Sequence, residues 1–219
     1  MSSQTYPVMV TGELTAPPSR GWWLLKWLLG IPHYIILAFL WIAFIVVSII
    51  AFFAILFTGK YPKGLFEFNT GVLRWTWRVG FYSYEALGTD KYPPFSLKSD
   101  DSYPADLEIE YPERLSQGLV LVKWWLLALP HYIIVSIFKG GSGEGGGSLV
   151  FLLAIFAALA LLFTGKYPED IFKLVVGMNR WGYRVAAYAA LMTDEYPPFR
   201  LWDDDESTSS PTEQIGIDR

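Results

Sequence analysis

Apolar residues in this chain gather in two blocks, and the polar residues around them fall into a repeating order. The first block, residues 21–57, reads GWWLLKWLLGIPHYIILAFLWIAFIVVSIIAFFAILF, with one charge at Lys26 and one proline at Pro32. From His33 to Phe57 nothing after the histidine is charged. As a helix rising ~1.5 Å per residue that piece would reach about 37 Å, beyond the ~30 Å hydrocarbon core of a bilayer. A water-soluble domain would have to cover such a run on every side, so the pattern predicts a membrane-inserted block. The second block, residues 115–163, is interrupted at 139–148 by KGGSGEGGGS, a flexible, water-facing loop by composition. That interruption predicts two helices, 114–138 and 149–163, joined as a hairpin. The first block has no turn residue at the corresponding place and is either one kinked helix or a tighter hairpin.

The rest of the chain repeats around these blocks. Each is preceded by a short alternating segment, residues 8–14 and 105–111, of which ADLEIEY has the period of a half-buried strand. Each ends in Leu-Phe-Thr-Gly-Lys-Tyr-Pro, at 56–62 and again at 162–168. Glycine there allows a left-handed turn, and proline biases the preceding tyrosine away from helix. A second helix follows, 63–87 and 169–192, amphipathic where the block is apolar. Arg74 and Arg78 interrupt it in the first copy, Arg180 and Arg184 in the second. An arginine at mid-membrane costs about 2.5–3.5 kcal/mol on insertion scales, so this helix is expected at the interface, with a re-entrant position packed against other helices as the alternative. Thr-Asp-x-Tyr-Pro-Pro-Phe closes each copy and leads into a short strand, 95–97 or 199–202.

Tandem duplication is therefore the organising fact: unit 1 is 1–99, unit 2 is 100–202, and 203–219 is an acidic tail of disordered composition. The predicted fold class is mainly α, a polytopic integral membrane protein with a small extramembrane β-sheet. If all four strands join that sheet on one side, each unit crosses the membrane an even number of times, four crossings in total. The rival is one crossing per unit, which would invert the second copy.

Composition narrows function more than it names it. The chain has 219 residues, 53% hydrophobic and 17% charged, a net charge of −4, ten Trp and no Cys. The acidic balance argues against nucleic acid, and the missing cysteine excludes disulfides and thiolate sites. No apolar core follows a basic start in the first twenty residues, so the first block would itself direct insertion. Lys60, Lys166, Trp22, Trp23, Trp124 and Trp125 flank the blocks as interfacial anchors.

Two residue sets could carry chemistry. His33 and His131, the only histidines, hold the same repeat position and could bind haem, a metal or a pigment. Alternatively each imidazole bonds a carbonyl freed by its neighbouring proline, which leaves no cofactor. Arg74/Arg78 and Arg180/Arg184, with Trp75 and Trp181 beside them, could take anionic lipid headgroups or simply pair within the protein. No nucleophile–base grouping is visible.

With these motifs in hand, Leu-Phe-Thr-Gly-Lys-Tyr-Pro, Asn179-Arg180-Trp181 with Arg184-Val185, and Thr-Asp-Glu-Tyr-Pro-Pro-Phe, the chain resembles the bacterial membrane family called domain of unknown function 4389, in two copies. The resemblance implies a multi-pass protein of the bacterial cytoplasmic membrane and transfers no catalytic residue. The expected function is a non-enzymatic scaffold or accessory subunit of a membrane complex. The alternative is a small lipid-binding or transport protein.

Overall fold

The computed structural model describes residues 6–15, 18–140 and 148–202; most of the Gly-rich stretch and the acidic tail, with the expectations attached to them, lie outside the described residues. The first block is one unbroken helix, α1 (Trp23–Thr58), with Pro32 inside it. At 36 residues it is about 54 Å long, and among the described residues it is the helix long and apolar enough to cross a membrane. Its buried residues are Lys26, Gly30, His33, Leu37, Phe44, Ala51 and Ile55, a single stripe at helical period. Ile35, Phe39, Ile42, Ile49 and Phe57 point outward and are exposed. Gly59, at φ 68°, ends the helix by returning its N–H to Ile55 O.

The amphipathic helix α2 (Lys63–Tyr82) runs back along α1. Asn69 Nδ2 donates to Ser48 Oγ at 3.1 Å, and Trp41 Nε1 to Thr76 Oγ1 at 3.2 Å. The opposite side of α2 faces a sheet. Its strands, β1 (Val8–Gly12) and β2 (Ala105–Ile109), pair antiparallel with Val10 opposite Leu107. Those two residues are equivalents in the duplication, so a pseudo-two-fold axis passes between them, normal to the sheet. Trp77 and Tyr183, also equivalents, meet edge to face near it with ring centroids 5.6 Å apart.

Unit 2 supplies α3 (Leu129–Lys139), α4 (Leu149–Thr164) and α5 (Glu169–Ala189), preceded by a 3₁₀ turn at Leu119–Leu121 and a π turn at Lys123–Leu127. Instead of the expected hairpin, α3 and α4 together retrace α1 in two pieces. Val150, Ala157 and Leu161 are buried where Phe44, Ala51 and Ile55 are buried, and Gly165 repeats the Gly59 cap. Across the break, Ser148 Oγ donates to Phe138 O at 2.9 Å. On either side of the residues not described, α3 and α4 pack on the same helix, α5.

Two further expectations are corrected. Residues 95–97 and 199–202 form no strand, so the sheet has two strands and not four. The carbonyls of Leu97, Lys98 and Leu201 accept from arginine side chains instead. Nor do α2 and α5 lie spread on a surface. Each is clamped between the sheet and the outer helices, with Arg74, Trp77, Arg78 and Phe81 on one side of α2 and Asn69, Thr76, Val79 and Ser83 on the other.

The result is three layers: sheet, then α2 and α5, then α1 beside α3 and α4. The outer helices run antiparallel, since Leu115 N donates to Gly59 O at one end of α1 and Arg20 sits against Gly165 at the other. Val8, Val10, Ala105, Leu107 and Ile109 face inward from the sheet; Met9, Thr11, Glu108 and Glu110 face out.

Candidate functional site

The arginines, which could take lipid headgroups or pair within the protein, are turned toward the sheet. Ladder bonds use Pro7 and Glu110, and Glu13 and Pro104, so the carbonyls of Val8, Val10 and Ala105 point out from the sheet edges. Arg78 Nε donates to Ala105 O at 3.4 Å, and Arg184 Nε to the equivalent Val8 O at 3.4 Å. Arg180 Nε reaches Val10 O at 3.1 Å. Arg78 also bonds Lys98 O at 2.8 Å and pairs with Asp106 at 2.9 Å, while Arg74 pairs with Asp106 at 3.0 Å. Tyr103 and Tyr6 lie beside the Arg78 and Arg184 guanidiniums, 6.0 and 5.1 Å from ring centroid to Cζ. Arg78, Arg180 and Arg184 are buried. Each unit's arginines thus read the other unit's strand, capping edges that would otherwise offer unpaired carbonyls.

The buried lysines at the head of each block are matched in the same way. Lys26 Nζ donates to Thr89 O at 2.7 Å and pairs with Asp90 at 3.0 Å; Lys123 does so with Thr193 O and Asp194, both at 2.7 Å. Burial alone would raise the Asp90 pKa, but the Ser19 hydroxyl and N–H, then Lys26, outweigh it and hold the carboxyl below its usual range.

Each histidine sits in an aromatic cage of its own unit. Trp75 Nε1 donates to His33 Nδ1 at 3.1 Å, and Trp181 Nε1 to His131 Nδ1 at 3.0 Å. Phe95 and Phe199 stack on the two imidazoles, with centroids 4.0 and 4.4 Å away. An indole and not a proline-freed carbonyl thus partners each ring, and nearby the Tyr92 and Tyr196 hydroxyls donate to the carbonyls of Leu29 and Leu127. With Nδ1 accepting, Nε2 carries the proton; both Nε2 atoms are buried without a hydrogen-bond partner among the described residues. The cages do not bring His33 and His131 together. Among the described residues no group of three His, Asp or Glu could hold a metal. Lys60, Lys166, Trp22, Trp124 and Trp125 are exposed and Trp23 half-buried, all at the ends of the outer helices.

A site that the sequence reading did not anticipate lies between the units. Two grooves flank the pseudo-axis on the helix side, related by the duplication. One, of about 560 Å³, is lined by Phe44, Phe52, Tyr132, Ala189 and Leu191 and is apolar. The other, of about 450 Å³, has Tyr34, Ser83, Glu85, Lys139 and Ser148 on its wall. Lys139 Nζ pairs with Glu85 at 3.1 Å and lies 4.9 Å from the Tyr183 ring centroid. Behind them Asn179 Nδ2 donates to Glu85 O at 3.1 Å. Burial, and after it the Glu85 charge, push the Tyr183 hydroxyl pKa well up and keep it protonated. Asn179 Oδ1 is buried without a hydrogen-bond partner among the described residues, and the buried Glu85 Oε2 and Tyr183 hydroxyl have only each other. Gly80 makes room: a Cβ there would meet the Glu85 carboxylate. Its equivalent in the apolar groove is Ala186.

A family model described as Domain of unknown function (DUF4389) matches residues 21–96 and again residues 121–200. The chain belongs to this family. No curated protein and no solved structure matches it. Both matched stretches of this DUF4389 chain contain the arginine pair and the histidine cage, the first with its whole block and the second with all but the start of it, and both leave out the strand. The groove residues are where its copies differ: Tyr183 stands for Trp77, Asn179 for Leu73, Lys139 for Trp41. Between the equivalent Arg78 and Arg184 and their Thr-Asp motifs, the first copy is two residues longer, and Glu85 lies in that stretch. Comparing the copies for polar differences, rather than for identities, was the signal that could have found them.

Proposed function

We propose that this chain is a scaffold or accessory subunit of a membrane complex, seated flat in one leaflet. In this reading α1, α3 and α4 lie in the hydrocarbon, and the sheet faces water and a partner. One observation carries it: the two outer layers expose opposite chemistry. Ile35 (56% exposed), Phe39 (70%) and Phe163 (80%) typify the helix face, while Glu108 and Glu110 stand on the sheet face. A helix layer about 10–12 Å thick fits half of a ~30 Å core. Were α1 upright, the sheet would stand beside it at the same depth, and each exposed charge placed mid-membrane would cost about 2.5–3.5 kcal/mol. Flat seating avoids that cost, and it replaces the expected multi-pass path with a one-sided one. The interfacial lysines and tryptophans at the helix ends suit headgroup depth.

The absence of cysteine makes the test direct. Gly21→Cys and Lys60→Cys mark the two ends of α1, and Gly21 has open space around it. On sealed vesicles an impermeant maleimide should label both from the same side; labelling from opposite sides would sink the one-leaflet seating. Native mass spectrometry from mild detergent should retain a second protein, and isolation as a lone chain would count against the scaffold role.

A further inference from the structure

We propose that the polar inter-unit groove binds one zwitterionic phospholipid headgroup carrying a primary ammonium, with its acyl chains leaving over the apolar helix face. The polar differences between the copies converge here from both units, Glu85 and Ser83 from one, Lys139, Ser148, Asn179 and Tyr183 from the other. Its apolar twin across the pseudo-axis shows what the same scaffold builds without such demand. Glu85 and Lys139 are each about a third exposed, so the pair is open to the groove and not sealed. Lys139 supplies a cation for a phosphate. Asn179 Oδ1 is a buried acceptor lacking a donor among the described residues, and Glu85 Oε2 has only the Tyr183 hydroxyl beside it; an unsatisfied buried acceptor favours a ligand that brings N–H groups. An ammonium brings three; a trimethylammonium brings none. The lipid would therefore insert its two charges beside an existing ion pair, phosphate to Lys139 and ammonium to Glu85. Phe151 at the mouth continues into the exposed α4 surface and supplies the wall for the chains.

The inference rests on the membrane seating proposed above, and its test is made in detergent so that the two can fail separately. Purified protein is stripped of lipid, incubated with equimolar dioleoyl phosphatidylethanolamine, phosphatidylcholine and phosphatidylglycerol, and examined by native mass spectrometry. One phosphatidylethanolamine should be retained about tenfold over phosphatidylcholine and over phosphatidylglycerol. Glu85→Gln should remove the preference over phosphatidylcholine, and Lys139→Gln should weaken both zwitterionic lipids, with unfolding temperatures unchanged. Gly80→Ala, which displaces the Glu85 carboxylate without deleting it, should resemble Glu85→Gln. Equal retention of all three lipids, a preference for phosphatidylglycerol, or a phosphatidylethanolamine preference that survives Glu85→Gln would each overturn the assignment.

Discussion

Replacing Arg78 with Met keeps the side chain's bulk and removes its donors, which isolates what the guanidinium does. Arg78 is fully buried and serves three acceptors: Lys98 O at 2.8 Å, Asp106 Oδ1 at 2.9 Å and Ala105 O at 3.4 Å. A buried acceptor left unsatisfied costs about 1–3 kcal/mol, and breaking one side of a buried ion pair about 3–5 kcal/mol. The Ala105 bond is long, and Asp106 keeps Arg74 at 3.0 Å and is itself a fifth exposed, so the lower end applies. About 3 kcal/mol is the expected loss, which at this chain length lowers the unfolding midpoint by roughly 10 °C. Arg74→Met should cost only about 1 kcal/mol, because its side chain is partly exposed and Asp106 retains Arg78. Arg184→Met should behave like Arg78→Met, since it reads the equivalent carbonyl. Tryptophan fluorescence during thermal unfolding in detergent measures this, with bound lipid phosphorus assayed on the same samples. If Arg78→Met unfolds within ~0.5 kcal/mol of the parent while bound lipid falls, the guanidinium serves headgroups and the edge-capping argument is wrong.

Three further outcomes follow from the geometry. Trp75→Phe removes the N–H that His33 Nδ1 accepts and should cost about 1–3 kcal/mol, with Trp181→Phe close to it; a loss under ~0.5 kcal/mol in both would mean the cages are dispensable. Gly59→Ala forces a side chain into φ 68° and should destabilise by about 1–2 kcal/mol in the same melts, whereas Gly64→Ala, with open space around it, should not. Asp90 has its carboxyl pKa lowered by folding, so its contribution is present above the unfolded value and is lost as pH falls through the folded one. Melts between neutral and acidic pH should show that loss, and Asp90→Asn should flatten it; an unchanged acid limb would contradict the Ser19 and Lys26 assignment.

Much of the fold was legible because the chain says everything twice. The apolar run, the Thr-Gly-Lys-Tyr-Pro cap and the ADLEIEY alternation each appear as α1, the Gly59 turn and β2. The failures share one cause: single-segment reasoning cannot see which other segment satisfies a group. Pro-Pro-Phe presets an extended course, yet arginine side chains took the carbonyls that a strand partner would have used. The arginines looked costly for burial because their strand acceptors lie in the other unit, 27 and 28 residues on from Arg78 and 170 and 176 residues back from Arg180 and Arg184. A glycine run suggested a reversal, but α3 and α4 both pack on α5, with His131 and Val150 buried where His33 and Phe44 are buried in α1. The groove was illegible for a different reason, since its residues are those that break the repeat, and attention to identity hides them.

The exchange of strands between units has a consequence for ancestry and synthesis. β1 packs on α5 and β2 on α2, so the first hundred residues leave the ribosome with Arg78 lacking Ala105 O and Asp106 and β1 lacking its strand partner. They can complete themselves only with a second copy of the same design. Residues 1–99 made alone should therefore pair with their own kind, each lending its strand to the other. The single chain then holds in tandem the two copies that such a pair would need. Fusion freed each half to diverge at the shared boundary, and that is where Glu85 and Lys139 now face one another.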